Sequence, residues 1–494
     1  MSTQEPLVGP EHVLDSPEAG GRVIRGSAIR LSGFAFSLLV GVLTAPLLIR
    51  HLSVSDFGIY ATANSIIFVI GGLSEGGIGS VAIREYTQGD ATRRRRILES
   101  LLGLRLVLIL TGCSIAIVTI IALGYPTIVL VGVLIGAVGI VVGATQATNA
   151  VPLMAGIELT RLTFIDIARQ GAATITMVGL IIAGATLVPF YFVNVVGLVV
   201  MLVITAALCA APRFATPRYH RRDWTHLLRQ TGIFSVATAF SIIYFQVALI
   251  SVAALSGSEQ AGYYGASFRV IEILNGVPWL LATAAFPLIA RSAATDAERL
   301  RYALQRMFEA ALVAGTAFAV VLFIGAPAIL EFLGAGKLDS ALPVLRIMSL
   351  GVPFTFCIAV WSFALLSIHA TRRLLISSGA ALALAVVLSV VLIPRYGAVG
   401  GATVTLIVEV ALAAMYGIAL ARERPELRVH LRPLLKVATA TAAAVAAGLL
   451  IPLGDIVTTI IGFGVFAIII VVTKAVPPEL TAELSTRILR RQRP

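Results

Sequence analysis

Ionisable side chains inside long apolar stretches are the residues of this sequence best suited to chemistry. Arginines interrupt such stretches at five places: Arg30, Arg105, Arg169, Arg269 and Arg346. If the stretches are membrane helices, a cation at a helix centre costs about 2.5 to 3.5 kcal/mol, so it should face a water-filled cavity or a partner charge. The pattern therefore predicts a charged binding cavity within a membrane, and it requires no covalent step.

Arg269 is the deepest of these arginines, about 10 Å into its stretch at the rise of a helix. Glu272 and Asn275 follow it at intervals of about one turn and form a polar stripe among aliphatic neighbours. We expect the stripe to face a cleft, although mutual neutralisation of Arg269 and Glu272 explains the pair equally well. Glu409 is the deepest acid without a local partner, and we expect it either to be protonated or to receive Arg269 or Arg30.

The first half of the chain supplies a second candidate group. Arg30 and Asn64 lie in its first two apolar stretches, although snorkelling to the membrane surface also explains Arg30. Glu75, Glu272 and Glu409 are candidates to exchange a proton or to bind a monovalent cation. The other arginines lie close enough to the end of a stretch to snorkel: Arg105, Arg169 and Arg346.

Cysteines give no sign of a metal centre. The three of them fall inside separate apolar stretches: Cys113, Cys209 and Cys357. They are too scattered for a disulfide framework or a ligand cluster, so we expect them to be packed in the core. The sequence therefore predicts no metal and no cofactor beyond a coupling proton or monovalent cation.

The composition places these residues in a membrane protein. Hydrophobic residues make up 58% of the 494 residues and charged residues 13%, with a mean hydropathy of +0.97, whereas a soluble domain carries about 25% charged residues. Apolar stretches long enough to cross a hydrocarbon core as helices follow one another along the chain. We therefore predict an all-α polytopic membrane protein with about 14 transmembrane helices.

The distribution of the 37 Lys and Arg residues predicts the orientation. Most of them lie in alternate loops, and the intervening loops hold only Arg50, Lys337 and Arg395. Because cytoplasmic loops retain basic residues, both termini are predicted to be cytoplasmic, and the net charge does not indicate a nucleic-acid partner. All the loops are too short to hold a catalytic domain, so we do not expect an enzyme.

A short hinge between two apolar stretches recurs later in the chain. Residues 50–60, RHLSVSDFGIY, are echoed by residues 255–264, LSGSEQAGYY, with one inserted residue. The repeat predicts two homologous six-helix halves with the same orientation, an arrangement typical of transporters. We expect a disordered cytoplasmic tail over 1–25, an N-lobe over 26–212, a basic linker over 213–230, a C-lobe over 231–420, two accessory helices over 421–475 and a basic cytoplasmic tail over 476–494.

Three motifs of this chain resemble one family. The hinge is similar to the R-x-L-x-x-x-x-F-G-x-Y stretch of the polysaccharide or lipid-linked oligosaccharide flippases, within the multidrug, oligosaccharidyl-lipid and polysaccharide exporter (MOP) superfamily. Residues 262–266, GYYGA, and 393–402, IPRYGAVGGA, resemble further stretches of that family. The resemblance implies a central cleft in which cations hold the diphosphate of a polyprenyl-linked sugar while the lipid tail stays between helices.

The function that the resemblance implies is that of a flippase. It would move a polyprenyl-diphosphate-linked oligosaccharide or polysaccharide repeat unit across the bacterial cytoplasmic membrane by alternating access. Arg30 and Arg269, with Asn64 and Asn275, match the expected headgroup site by helix and depth, and arginine binds phosphate oxygens bidentately. The expected partners are the lipid-linked glycan, membrane lipids and glycan polymerase or assembly proteins, and we expect a monomer.

Two other classes of function stay open. A cation-coupled multidrug exporter of the same superfamily would favour an acidic or aromatic-lined cavity, whereas this chain carries arginines in both halves and only 7% aromatic residues. A polytopic glycan polymerase or glycosyltransferase would need a long outside loop with carboxylates or arginines, and the predicted outside loops are short.

The glycines and tyrosines of the motifs also have a structural interpretation. Three glycines are expected to provide backbone freedom where the chain reverses: Gly58, Gly262 and Gly397. Four tyrosines are expected to join the aromatic belt at the membrane surface: Tyr60, Tyr263, Tyr264 and Tyr396. In the fourth apolar stretch, small residues are spaced for close packing of helices: Gly132, Gly136, Gly139 and Gly143.

Overall fold

The computed structural model describes residues 19–156, 158–209, 215–295, 297–428, 430, 432–450 and 454–473. All the regular elements of these ranges are helices. They are α1 (Ala19–His51), α2 (Val54–Glu75), α3 (Ile78–Gln88), α4 (Ala91–Ala122), α5 (Thr127–Asn149), α6 (Val151–Ala155), α7 (Leu159–Ile182), α8 (Leu187–Leu208), α9 (Arg221–Thr295), α10 (Ala297–Ile324), α11 (Ala326–Gly334), α12 (Leu342–Ser349), α13 (Val352–Ser367), α14 (Thr371–Glu423), α15 (Arg432–Leu450) and α16 (Asp455–Val472), with short 3₁₀ turns at Asp339–Ala341 and Pro425–Leu427.

The helices have the length and composition of a membrane protein. Among the described residues, ten helices are long and apolar enough to cross a membrane. The predicted class, an all-α polytopic membrane protein, is confirmed. The number of crossings and their orientation stay predictions. α1 already begins within the predicted tail of residues 1–25, while the rest of that tail and the C-terminal tail over 476–494 lie outside the described residues.

Two of the helices are interrupted by a sharp kink. α9 has 75 residues and is interrupted at Gly257 (φ 85°, ψ 175°), and α14 has 53 residues and is interrupted at Gly397 (φ 55°, ψ −130°). Residues other than glycine rarely adopt a positive φ, which explains why glycine occupies both positions. The kinks fall where the sequence predicts the chain to reverse, so the expected role of Gly397 is confirmed.

The chain divides into two compact units. Among the described residues, unit 1 comprises those within 19–52 and 63–242, and unit 2 comprises those within 53–62 and 243–473. The division falls inside α2 and α9, so the first turns of α2 belong to unit 2 and the first turns of α9 belong to unit 1. The lobe and linker boundaries proposed from the sequence stay predictions.

Unit 1 is built around close contacts of α5. This helix packs against α4 and α8, and α8 packs against α7. A Cβ atom at Gly132 would overlap the ring of Tyr191, and one at Gly136 would overlap the side chain of Ile67. The predicted close packing is thus confirmed at these two glycines, whereas a Cβ atom at Gly143 would lie in ordinary contact with Leu198. A separate buried cluster joins α3, α4, α6 and α9: Ile78, Ala82, Ile97, Leu101, Leu104, Val151 and Leu227.

Unit 2 has α10 near its centre. α10 packs against α13, α15 and α16, and α13 also packs against α14. The ring of Phe308 stacks on that of Trp361 with a centroid distance of 5.4 Å. Phe308 belongs to a buried cluster that extends to both C-terminal helices: Leu312, Val320, Ile324, Cys357, Val437, Ala440, Ala444, Phe466 and Ile470. The helices predicted to be accessory, α15 and α16, therefore share the core of unit 2.

Candidate functional site

Arg269 and Glu272 form an ion pair on α9. The distance from Nη1 of Arg269 to Oε2 of Glu272 is 2.6 Å, and their side chains are 46% and 29% exposed. Phe268 and Ile271, on the same helix, are buried, and the half-buried Asn275 continues the polar stripe by one turn. Because one contact with Glu272 leaves most of the five guanidinium N–H donors available, Arg269 can still bind an oxyanion.

Glu409 is a buried carboxylate of unit 2. It lies on α14 with 4% of its surface exposed, and its Oε2 accepts a hydrogen bond of 2.5 Å from Oγ1 of Thr355 on α13. It lines a small cavity, with room for about one water molecule, together with Tyr244 and Thr405. Sequence reasoning missed Thr355 because a local pattern does not reveal a contact between residues that lie 54 positions apart on different helices.

Tyr264 does not belong to an aromatic belt. It is fully buried, and its hydroxyl lies 2.8 Å from Oγ1 of Thr405. The prediction of an interfacial position for Tyr264 is therefore wrong. Its ring fills space between α9 and α14, where a Cβ atom at Gly401 would approach it to 3.0 Å. Tyr396, in contrast, is 60% exposed.

Arg105 is a buried cation of unit 1. Only 2% of its side chain is exposed, and its Nη2 lies 2.7 Å from Oε2 of Glu75. Its Nη1 donates to Oγ1 of Thr148 at 2.9 Å. The prediction that Arg105 snorkels to the surface is wrong, because side chains from α2 and α5 neutralise its charge and accept from Nη1 and Nη2 inside the unit. Glu75 itself is 52% exposed.

The second apolar stretch of the sequence, residues 58–82, does not form one continuous helix. α2 ends at Glu75 and α3 begins at Ile78. Between them, Gly76 and Gly77 have positive φ values of 30° and 77°, and Oγ of Ser235 donates a hydrogen bond to the carbonyl oxygen of Gly76. The Gly-Gly dipeptide was the available signal for this break. The break directly follows Glu75, the acid that binds Arg105.

The two copies of the hinge contact each other within unit 2. Oγ of Ser55 lies 2.6 Å from Oγ of Ser258, and the two serines are equivalent in the repeat. A Cβ atom at Gly58 would overlap the carbonyl oxygen of Ser258, and one at Gly262 would overlap that of Val54. Each glycine thus packs on the carbonyl four residues before the other glycine, the reciprocal pattern of a two-fold contact. We call this contact the hinge seam.

The hinge seam corrects the expected role of its glycines. Gly58 and Gly262 lie inside helices, and neither is among the glycines with positive φ. The prediction that they provide backbone freedom is therefore wrong. They are small because two helix backbones meet there, at a distance that excludes any side chain.

The remaining candidate residues lie on α1 and α2. Arg30 lies on α1, and its side chain is outside the part of the structure that is described. Asn64 is half-buried on α2, and Nδ2 of Asn194 lies 3.5 Å from its Oδ1. Among the described residues, no group of three or more His, Cys, Asp and Glu side chains could hold a metal ion.

Comparison with known protein families shows which family the sequence matches. The sequence profile of the polysaccharide biosynthesis proteins matches residues 23–293, which is more than half of the chain. The chain belongs to this family. A second profile, MatE, matches residues 234–391. The predicted membership of the flippase family and of its exporter superfamily is thereby confirmed. A comparison with curated proteins finds no match.

Solved structures share the fold of this polysaccharide biosynthesis family member. The lipid II flippase MurJ in an inward closed conformation matches with a TM-score of 0.70 at 15% identity, over 90% of this chain and 98% of that chain. An inward-facing multidrug resistance MATE family transporter matches with a TM-score of 0.61 at 15% identity, over 81% and 98%. A MOP superfamily transporter from Pyrococcus furiosus matches with a TM-score of 0.56 at 16% identity, over 86% and 99%.

The TM-scores of these matches show a common fold. Together with the family profiles, they make the chain a multi-pass membrane transporter of the MOP superfamily.

One motif that marks the family connects the two kinked helices. Oγ of Ser256 donates to the carbonyl oxygen of Ile393 at 3.0 Å, and the backbone N–H of Ala398 donates to Oε1 of Gln260 at 3.0 Å. These bonds tie the kink of α9 to that of α14. The motif over residues 393–402 is therefore explained by the fold.

Proposed function

We propose that the protein is a flippase that moves a polyprenyl-diphosphate-linked oligosaccharide or polysaccharide repeat unit across a bacterial cytoplasmic membrane. The observation that carries this proposal is the exposed ion pair of Arg269 and Glu272, in a helix apolar enough to span a membrane. A guanidinium binds two phosphate oxygens at once and stays charged when water is removed. Membership of the polysaccharide biosynthesis family supports a glycan-bearing substrate.

The side chains have separate roles in this proposal. Arg269 binds the diphosphate, and Glu272 holds the guanidinium in place while no substrate is bound. Arg30 contributes a second cation, and Asn64 and Asn275 hydrogen-bond the headgroup. Alternating access moves the headgroup from one side of the membrane to the other without a covalent step. Glycan polymerase or assembly proteins would receive the product.

Replacing Arg269 by alanine tests the proposed role of this residue. A hydrogen bond to a charged group is worth about 1.5 to 3 kcal/mol, so translocation of a fluorescent polyprenyl-diphosphate sugar is expected to fall about tenfold or more. The measurement uses proteoliposomes with equal amounts of inserted protein. Arg346→Ala is the control, because Arg346 lies 5.5 Å from the ring centre of Phe323 and has no proposed contact with substrate. Equal rates for wild type and Arg269→Ala would count against the site.

The hinge seam is expected to separate and re-form during alternating access. The 2.6 Å distance between Ser55 Oγ and Ser258 Oγ indicates that cysteines at these positions are within reach of a disulfide. In a variant without the three native cysteines, which are all free, oxidation of Ser55→Cys/Ser258→Cys is expected to stop translocation, and a reductant should restore it. Ser55→Cys alone should be insensitive to the oxidant. Full activity of the cross-linked protein would exclude movement at the seam.

A cation-coupled multidrug exporter is the second candidate function. The MatE profile matches residues 234–391, and Glu409 lines its cavity with Tyr244 and Phe245, the acidic and aromatic surroundings that an exporter would favour. For either substrate, we propose that Glu409 couples transport to a proton or a monovalent cation.

The variant Glu409→Gln tests this coupling. Glutamine keeps the size of the side chain and can still accept from Thr355, but it carries no charge and exchanges no proton. Transport by the variant is expected to continue at the basal rate and to lose its stimulation by an imposed proton or sodium gradient. Glu423→Gln, which changes an exposed ion pair with Arg373, should keep the stimulation. If Glu409→Gln responds to the gradient as fully as the wild type does, another group performs the coupling.

A further inference from the structure

The ion pair of Arg105 and Glu75 is unevenly buried. The arginine is 2% exposed and the glutamate 52% exposed. The cation is therefore enclosed in unit 1, while the anion that neutralises it reaches the surface of the unit. A buried cation requires an anion at all times, but the exposed position of Glu75 does not require that anion to be Glu75.

One edge of the Arg105 guanidinium is only half used. In an arginine, the Nε–H and one N–H of Nη2 point to the same side and together bind the two oxygens of a carboxylate or phosphate. Glu75 contacts Nη2 through Oε2 alone, and Nε is buried without a hydrogen-bond partner. An anion with oxygens spaced to reach both nitrogens would satisfy this edge better than Glu75 does.

The residues around the pair differ in how firmly they hold its two members. A Cβ atom at Gly79 would lie 3.2 Å from Nη2 of Arg105 and 3.6 Å from Oε2 of Glu75, so any side chain there would crowd both groups. Glu75 is the last residue of α2, and two glycines with positive φ follow it. Thr148, in contrast, binds Nη1 from α5 and can hold the guanidinium in place while Glu75 moves.

We propose that Arg105 is a second oxyanion site of the transporter, at which a substrate phosphate or diphosphate displaces Glu75 from the guanidinium. This proposal rests on the proposed function, because its ligand is the phosphate or diphosphate group of the proposed substrate. Glu75 neutralises Arg105 while the site is empty and moves aside when the phosphate oxygens engage Nε and Nη2. The exchange is a binding step, and no bond is made or broken.

Direct binding measurements test the exchange. The probes are farnesyl diphosphate and inorganic pyrophosphate, titrated against the full chain in nanodiscs of uncharged lipid. Glu75→Gln removes the internal competitor and is expected to bind the diphosphate about tenfold more tightly than the wild type does, a difference of about 1.4 kcal/mol. The double variant Glu75→Gln/Arg105→Gln should lose that gain. Glu85→Gln, which alters an ion pair with the exposed Arg93, should bind as the wild type does.

The outcomes separate this proposal from the proposed function. If Glu75→Gln binds no more tightly than the wild type, or if the gain survives Arg105→Gln, the second site is overturned. A loss of diphosphate binding in Arg269→Ala would then leave the proposed function standing. If neither Arg269→Ala nor the Glu75 variants change binding, both proposals fail.

A substitute comparison is available if Glu75→Gln does not fold. The double variant Glu75→Gln/Arg105→Gln has no unpaired charge at this site. It is expected to bind the diphosphate more weakly than the wild type does, and equal affinities would overturn the second site.

The two probes identify the ligand group. If the changes at Glu75 and Arg105 alter the affinity for both probes, the diphosphate alone is the ligand group. If they alter the affinity for farnesyl diphosphate only, the ligand is the lipid-linked form, and if they alter neither affinity, the proposal is overturned.

Discussion

Replacing Gly58 by valine is expected to destabilise the protein by about 3 kcal/mol, the upper end of the usual cost of overpacking a core. The first added carbon would overlap the carbonyl oxygen of Ser258 and approach the backbone nitrogen of Gly262 to 2.6 Å. Both atoms belong to a helix backbone and cannot rotate away, so the helices must separate. Thermal unfolding in detergent micelles measures the effect, and Gly262→Val should behave alike because the seam is reciprocal.

A matched glycine elsewhere distinguishes steric overlap from helix propensity. A Cβ atom at Gly179, in the last turn of α7, would meet nothing within 4 Å. Gly179→Ala should therefore be neutral, or more stable by up to about 1 kcal/mol, since alanine favours a helix more than glycine does. Gly58→Ala should be clearly destabilised by the same measurement. Equal unfolding temperatures for the two alanine variants would contradict the close contact of the hinge seam.

Removing Glu75 is expected to cost more stability than removing Arg105, although each change breaks the same ion pair. Glu75→Ala leaves a buried guanidinium without a counter-charge, and such changes cost about 3 to 5 kcal/mol. Arg105→Met removes the buried charge and leaves Glu75, which is 52% exposed, free to be hydrated. The free energies of unfolding of both variants in detergent, measured against the wild type, check this order.

The double variant provides the control for this asymmetry. Glu75→Ala/Arg105→Met contains no unpaired buried charge, so it should be more stable than Glu75→Ala alone, and a double-mutant cycle should show coupling between the two sites. A larger cost for Arg105→Met than for Glu75→Ala would mean that packing of the arginine stem, and not its charge, dominates at this position.

The sequence predicted the class of this protein because composition and hydrophobic length depend on every residue. The polar stripe of Arg269, Glu272 and Asn275 was predictable for a similar reason, since residues one turn apart on a helix share a face. The kink at Gly397 could be located because it lies within a motif at the end of an apolar stretch.

Contacts between distant helices could not be predicted in this way. Burial of Arg105 depends on Glu75 and Thr148, which lie on two other helices. The position of Arg105 along its own helix therefore predicted a side chain that reaches the surface, which is wrong. The same holds for Thr355, the partner of Glu409. A single sequence contains no direct record of which helix faces which.

The glycines of the hinge show the limit of local reasoning most clearly. A glycine near the end of an apolar stretch is compatible both with a turn and with close packing of helices. Gly58 and Gly262 serve packing, and Gly257, which the sequence analysis did not single out, provides the positive φ. The repeat could have predicted this packing, because equivalent segments of two homologous halves are expected to meet at a two-fold axis.

The most direct test of the proposed flippase is the substrate of the wild-type protein. Proteoliposomes would be loaded in parallel with a fluorescent polyprenyl-diphosphate sugar and with a cationic dye, and the transport of each would be compared with that of protein-free vesicles. We predict saturable translocation of the diphosphate lipid, competed by unlabelled polyprenyl diphosphate, and no accumulation of the dye. Accumulation of the dye without translocation of the lipid would contradict the flippase and would favour the multidrug exporter.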